Sequence, residues 1–295
     1  MRVLAVLTLV AALQPAAPVT TERLIQDVGR LVAAETNEAR FDALTALLSE
    51  RKLSFEVERF TLDKPGGKET RTEGRNVVVS FGTGDEHIVV GAHYDAVRLA
   101  DGSLSRGAVD NGASSVMLVR LAEALRNERL TRRVHIVWFD MEELGLRGSA
   151  AYVQRHANRE TAAMLNFDIN AYGDTVLFGP AGREMNADLQ ETLLITCAHA
   201  RINCVAFPEM PPSDDRPFTQ RKIPTISIAM LPETELHQLW LLVNAGANSG
   251  LANETTPSIL QTIHTPGDTL DKVNGESVAR ALHLALSVVR TLAAQ

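Results

Sequence analysis

Two adjacent acids, Glu142 and Glu143, directly follow the apolar run 134–139 in the segment WFDMEELGLRGS. Two carboxylates at the mouth of a buried strand are costly to desolvate unless a cation pairs with them. A metal ion is the natural partner, and the neighbours can then divide the work, one ligating and the other carrying a proton. Four further segments carry residues of the same kind. His93 and Asp95 close the run IVVGA in GAHYDAV, and Asp110 stands before a helix-like stretch in GAVDNGAS. Asp168 ends the run MLNF in MLNFDINAYG, and His264 lies in IHTPGDTLDKV. Each has an ordinary reading alone: a surface turn for His-x-Asp, a helix N-cap for Asp110, turn acids or a loop histidine for the others, solvated acids for the Glu pair. Together they would require five elements each to place a histidine or carboxylate at one sheet edge by accident. Imidazole and carboxylate are ligands that suit zinc.

The elements that position these residues can be read from periodicity. Residues 21–52 have helical apolar spacing, and 53–61 alternates as a half-buried strand. Strands at 75–81 and 87–92 are joined by the tight link GTGDE. Helices and strands then alternate: helix 112–128, strand 133–139, helix 148–157, strand 162–169, strand 175–178, helix 184–200, strand 203–207, strand 224–230 and helix 233–244, with a closing helix over 276–293. This predicts a single α/β domain with a mixed, mostly parallel central sheet flanked by helices. In such sheets ligands bind beyond the carboxyl ends of the strands, where the candidate residues fall. The long loops 208–217 and 244–258 are expected to wall the site.

Composition narrows the function classes. Charged residues are 22% and net charge is −7, with no basic run, which argues against a nucleic-acid partner. Residues 1–17 have the layout of a secretory signal peptide, which leaves 18–295 as the catalytic domain and a secreted or periplasmic location. The leader's apolar stretch is too short for a stable membrane anchor. Cys197 and Cys204 leave two readings open, one disulfide or two buried thiols. His87, His135, His156, His199, His237 and His283 read as structural or solvated, and Trp240 as helix core. The sequence does not give an oligomeric state.

The set GAHYD, GAVDNGAS, FDMEELGLRGS, NFDINAYG and HTPGDTLDKV resembles the M28 metallopeptidase family, the co-catalytic zinc aminopeptidases, over about residues 75–290. The resemblance implies the zinc-peptidase-like fold and two zinc ions held by His93, Asp110, Glu143, Asp168 and His264. Asp110 would bridge, His93 and Asp168 would serve one ion, and Glu143 and His264 the other. Glu142 would be the general acid/base in hydrolysis by a hydroxide shared between the ions, and Asp95 would fix the His93 ring. The expected activity is removal of N-terminal residues from a peptide substrate. The alternatives are a glutaminyl-peptide cyclase with one zinc, a relative on the same fold, and a non-catalytic binding ectodomain. Two positions depart from the family pattern: Asp215 where many members have His, and Ile263 where several have Tyr.

Overall fold

In the computed structural model, which describes residues 20–64, 71–157, 160–182, 185–245 and 256–294, eight strands form one sheet. They are β1 (Glu56–Thr61), β2 (Glu73–Phe81), β3 (His87–His93), β4 (Arg133–Phe139), β5 (Thr161–Phe167), β6 (Thr175–Gly179), β7 (Cys204–Ala206) and β8 (Thr225–Leu231). Their order across the sheet is β1-β2-β4-β3-β5-β8-β6-β7. The four central strands β4, β3, β5 and β8 run parallel. β1 and β2 pair antiparallel, and so do β2 with β4 and β6 with β8; β2 and β3, joined by the tight GTGDE link, are separated in the sheet by β4. The β6–β8 reversal had no sequence signal, because strand direction depends on where the intervening chain crosses.

Helices cover both faces. They are α1 (Thr21–Val32), α2 (Asn37–Glu50), α3 (Ala113–Leu125), α4 (Arg147–Arg155), α5 (Ala187–Ala200), α6 (Arg216–Gln220), α7 (Glu233–Asn244), α8 (Ile259–Thr262) and α9 (Gly275–Ala293). The helical run near the start is two helices. The second begins at Thr36, whose hydroxyl accepts the Ala39 N–H at 3.1 Å and so caps an otherwise unpaired donor. The short α6 and α8 were not foreseen, since a single turn carries no periodicity.

Strand alternation decides which face each side chain meets. Ile88, Val90 and Ala92 of β3, with Val134, Ile136 and Trp138 of β4, enter the larger core beneath α1, α3 and α9. Val89, Val137 and Phe139 point the other way, into a smaller core with Tyr152, Val153 and Phe218 from α4 and α6. Every residue of β3 is buried, as befits a parallel strand covered on both faces. A disulfide joins Cys197 of α5 to Cys204 of β7, which resolves the open choice between bonded and free thiols. His87, His135 and His156 gather with Tyr152 and Glu58 in the interior beside α4. There His156 Nε2 lies 2.7 Å from a Glu58 oxygen and His135 Nδ1 lies 2.6 Å from the Tyr152 hydroxyl. Among the described residues no helix is long and apolar enough to cross a membrane.

Candidate metal centre

The chain leaves β3 toward β4 on one side and returns to β5 on the other, so the carboxyl end of β3 opens a crevice between diverging connections. His93 is the last residue of β3 and Asp95 follows it. Glu142 and Glu143 follow β4, and Asp168 follows β5. Asp110 sits in the irregular turn 108–112 that leads into α3, where its peptide bond to Asn111 is cis. His264 comes from the far end of the chain, just after α8. The structure therefore brings all seven candidate residues of the sequence to one place.

Two histidines face one carboxylate from opposite sides. His93 Nε2 lies 3.1 Å from Asp110 Oδ1, and His264 Nε2 lies 3.1 Å from Asp110 Oδ2. His93 Nε2 is also 3.6 Å from Asp168 Oδ1, and His264 Nε2 is 3.2 Å from Glu143 Oε2. The donor atoms divide into two groups, His93 with Glu142 and Asp168, and Asp110 with Glu143 and His264, each spanning no more than 4.8 Å. Glu142 thus lies within the same span as His93 and Asp168.

Acids outnumber bases in this cluster, and burial raises several of them. Burial pushes the Glu142 carboxyl well above its ordinary range; the nearby His93 opposes this, and Asp214, Asp168 and Glu143 reinforce it. Burial also drives Glu143 up to about 7, partly offset by its bond to His264. Asp214 is fully buried, and its burial, only partly opposed by His93, raises it to about 8. Burial acts on Asp110 in the same direction, but the close approach of His264 and His93 outweighs it and holds that carboxyl low. His264 is raised to about 11 by Asp110 and Glu143.

Several buried atoms also lack hydrogen-bond partners: His93 Nε2, Glu143 Oε1 and Asp168 Oδ1. His93 Nε2 approaches Asp110 without the alignment of an N–H···O bond. That arrangement fits nitrogen and oxygen atoms converging on a shared cation, and the imidazole-carboxylate donor set suits zinc.

Further residues hold the candidate ligands in place. Asp95 was expected to fix the His93 ring. Its backbone carbonyl lies 3.2 Å from His93 Nδ1 and its carboxylate 3.5 Å away. The carboxylate accepts the N–H groups of Glu142 and Glu143, at 3.1 and 3.2 Å, so one residue orients the acid pair through its side chain and the histidine through its backbone carbonyl. Asp95 is buried and is not among the cavity-lining residues, so it positions other groups and would not itself meet substrate.

Three further supports were missed at the sequence level. Asp268 accepts the N–H groups of Ala108, Val109 and Asp110, tying the His264 loop to the Asp110 turn. Arg40, fully buried on α2, donates to the carbonyls of Tyr94, Arg106 and Gly107. Ser213 Oγ donates to Asp168 Oδ2 at 3.0 Å. The signal for Asp268 was its place four residues after His264. Arg40 carried none, because its partners are backbone carbonyls more than 50 residues away in the chain.

Backbone strain concentrates here too. Met141, Leu146, Ile169 and His264 all have φ between 57° and 61°, a region costly for residues with a Cβ. Met141 and Ile169 adjoin candidate residues, His264 is one, and Leu146 lies in the turn between the acid pair and α4. Gly148 has a different reason: a Cβ there would sit 2.2 Å from the Asp140 carbonyl oxygen, so α4 packs under the acid pair only with glycine at this position.

A cavity of about 200 Å³ opens beside the cluster. Asp110, Glu142, Asp168 and His264 lie along it, and its remaining wall is Ile169, Leu177, Met210, Ile228, Leu231, Leu239, Ile259 and Ile263 with neighbouring residues. Ile263, one of the departures from the family pattern, contributes an apolar surface. Asp215, the other, is buried, accepts the Ser213 N–H at 3.3 Å, and does not line the cavity. Loop 208–217 supplies Met210 to Ser213 as wall, while residues 246–255 of the second long loop lie outside the described residues.

Comparison with known proteins agrees with the geometry. The model of peptidase family M28 matches residues 76–289. This chain belongs to peptidase family M28. A probable leucine aminopeptidase of Arthroderma otae is 34% identical over 104 residues, 32% of this chain. The matched stretch spans only 29% of that relative's length, and 19% of a probable leucine aminopeptidase 2 of Trichophyton verrucosum. Among solved structures, the zinc aminopeptidase of Bacillus subtilis superimposes with a TM-score of 0.72 at 14% identity, covering 93% of this chain and 95% of that one. A glutaminyl cyclase of Fimbriiglobus ruber gives 0.71 at 14% identity, covering 94% and 97%. At these identities both likenesses establish the fold, and the fold accommodates two chemistries.

Proposed function

We propose that this protein is an exported zinc aminopeptidase that removes large apolar residues from peptide N-termini. His93 and Asp168 would hold one zinc ion, Glu143 and His264 a second, with Asp110 between them. The two groups of converging donor atoms support that assignment. Zinc there would supply Lewis acidity, lowering the pKa of a water to roughly 7 and polarising the scissile carbonyl. Glu142 would take the proton of the attacking water and deliver it to the leaving amine, a role its proton affinity and its place at the cavity edge both support. Asp95 would keep Glu142 and His93 aligned through the bonds described above. The Cys197–Cys204 bond supports an oxidising compartment outside the cytoplasm. Residues 1–17, the signal-peptide reading, lie outside the described residues.

The observation that carries the substrate class is the cavity. Beyond the cluster itself its wall is almost wholly apolar, with Ser213 and Ser227 the polar exceptions. It suits an aliphatic side chain next to the reacting carbonyl. A glutaminyl cyclase must instead bring a side-chain carboxamide to its metal, and an apolar wall offers that group few partners.

A substrate panel tests the reading. Zinc-loaded protein should hydrolyse L-leucinamide and leucyl peptides, leave N-acetyl-leucinamide intact and fail to cyclise glutaminyl peptides. Equal cleavage of the acetylated analogue would overturn the aminopeptidase assignment. Release of pyroglutamyl peptide would replace it with the cyclase.

A further inference from the structure

One wall of the cavity is made by a segment that cannot hold itself. α8 has four residues, and Ile259, Leu260 and Ile263 of this turn and its end line the cavity just before His264. A single helical turn is unfavourable on its own, because nucleation fixes several residues for one hydrogen bond. Around the turn, the Ile263 N–H donates to the Ile259 carbonyl at 3.0 Å and the Leu260 and Gln261 N–H groups reach back to Pro257 and Ser258 at 3.1 and 3.0 Å, whereas the Ile259 N–H finds its partner outside the segment. Something outside must fix its start.

That anchor is a carboxylate in the first turn of α7. Glu235 Oε2 accepts the Ile259 N–H at 2.9 Å, and Glu235 Oε1 accepts the Tyr172 hydroxyl at 2.7 Å. Tyr172 lies in the loop after β5, which also carries Asp168 and the cavity residue Ile169. The Tyr172 hydroxyl is raised to about 12, by partial burial and by this bond, so it remains a donor throughout the working pH range. One carboxylate thus joins three pieces of chain: α7, whose Leu239 lines the cavity, the Asp168 loop and α8. Downstream of His264 the segment is fixed separately, by Asp268 and by the Ser105 hydroxyl donating to the Thr265 carbonyl at 3.3 Å. Glu235 therefore controls the apolar wall, while other groups hold the histidine.

We propose that Glu235 is a specificity-positioning residue: by clamping Ile259 against Tyr172 it sets the width of the pocket that receives the substrate's first side chain. Glu235 does not touch substrate. It acts through Ile259 and Ile263, so its effect falls on large side chains, which reach that wall, and much less on small ones. The proposal rests on the aminopeptidase reading for its substrate, and its structural half stands without that reading.

The test uses the full, zinc-loaded protein with L-leucinamide and L-alaninamide, amide hydrogen exchange at Ile259, and zinc analysis. In Glu235→Ala, exchange at Ile259 should accelerate at least tenfold. kcat/KM for leucinamide should fall about tenfold, mainly through KM, while alaninamide falls far less and zinc content holds. Glu235→Gln should restore both, since its carbonyl can accept from Ile259 and its amide can donate to the Tyr172 oxygen. Tyr172→Phe cuts the other arm without touching α8 and should shift the leucine-to-alanine ratio the same way by a smaller factor.

Unchanged exchange at Ile259, or an equal fall for both amides, overturns the proposal. If the wild type hydrolyses neither amide, the aminopeptidase reading has failed instead. Binding of L-leucine against L-alanine by calorimetry then decides the clamp: loss of leucine preference in Glu235→Ala supports it, and an unaltered ratio overturns it.

Discussion

Two buried clusters of charge lie near the two ends of α3, and they are built on opposite principles. Toward its carboxyl end, Asp27 pairs with Arg51 at 2.6 Å and Arg120 at 2.5 Å, and Glu123 pairs with Arg120 at 2.8 Å. Two acids meet two guanidiniums, and the cluster ties α1, α2 and α3 together. Before its amino end stand Asp95, Asp110, Glu142, Glu143, Asp168 and Asp214 with two histidines. Among the described residues none of these acids pairs with an arginine or lysine. The nearest candidate, Arg40, directs its donors to backbone carbonyls. The first cluster carries its own counter-charge and can serve as a clamp. The second leaves counter-charge to be supplied: burial holds Glu142 and Glu143 above their ordinary range, and the surrounding carboxylates raise His264.

The largest expected effect separates chemistry from binding within the second cluster. Glu142→Gln should lower kcat/KM by about 10³–10⁴, the range for losing a general base, while zinc content by elemental analysis stays at the wild-type level. Loss of zinc in that variant would make Glu142 a ligand rather than a proton carrier.

The first cluster should fail in the opposite way. Asp27→Ala leaves the Arg51 and Arg120 guanidiniums to share Glu123 alone and should cost about 3 kcal/mol in denaturant unfolding, with kcat/KM of the folded fraction unchanged. A variant that is equally stable would mean that the arginines find other partners.

Removing the metal should reverse the sign of a pH dependence. Glu143 and Asp214 have folded-state values of about 7 and about 8 without metal, above their ordinary carboxylate range, so their protonated forms favour the folded state. That contribution is complete below the ordinary range and is lost as pH rises through those values. Thermal unfolding of chelator-treated protein should therefore show Tm falling between pH 5 and pH 8. With zinc bound, ligand deprotonation favours binding, and Tm should hold or rise over the same interval. Parallel curves for the two forms would break the comparison.

A smaller effect probes the pocket beside the cluster. Leucine carries three more carbons than alanine, worth roughly 2.4 kcal/mol if fully buried, so leucinamide should exceed alaninamide by about 50-fold in kcat/KM. Equal rates would mean that the cavity does not receive the first side chain.

Much of this was legible in the sequence because the signals are local. The strands β3 and β4 announce themselves as apolar runs, and His93, Asp95, Glu142 and Glu143 stand directly at their ends. Asp168 shares that property at the end of β5, and Asp110 stands just before the helical run of α3. His264, after a single helical turn and with no strand before it, was found only through the HTPGDTLDKV string. What stayed hidden depends on long-range geometry. The second task of Asp95, holding the Glu142 and Glu143 amides, follows from β3 and β4 being neighbours in register. The pocket draws on β6, β8, α7, α8 and loop 208–217, and no segment alone shows that its apolar residues meet around a void. Leu239 illustrates the point, since it sits in a helix read as core and is also cavity wall.

The central claim is that the cluster before α3 is completed by two metal ions. Zinc analysis of the purified, dialysed protein, paired with Asp110→Ala, tests it most directly. The account predicts close to two zinc ions per chain in the wild type, and weakened retention of both in the variant, since Asp110 faces both histidines. One tightly held zinc per chain, or a variant that keeps both ions, would contradict it.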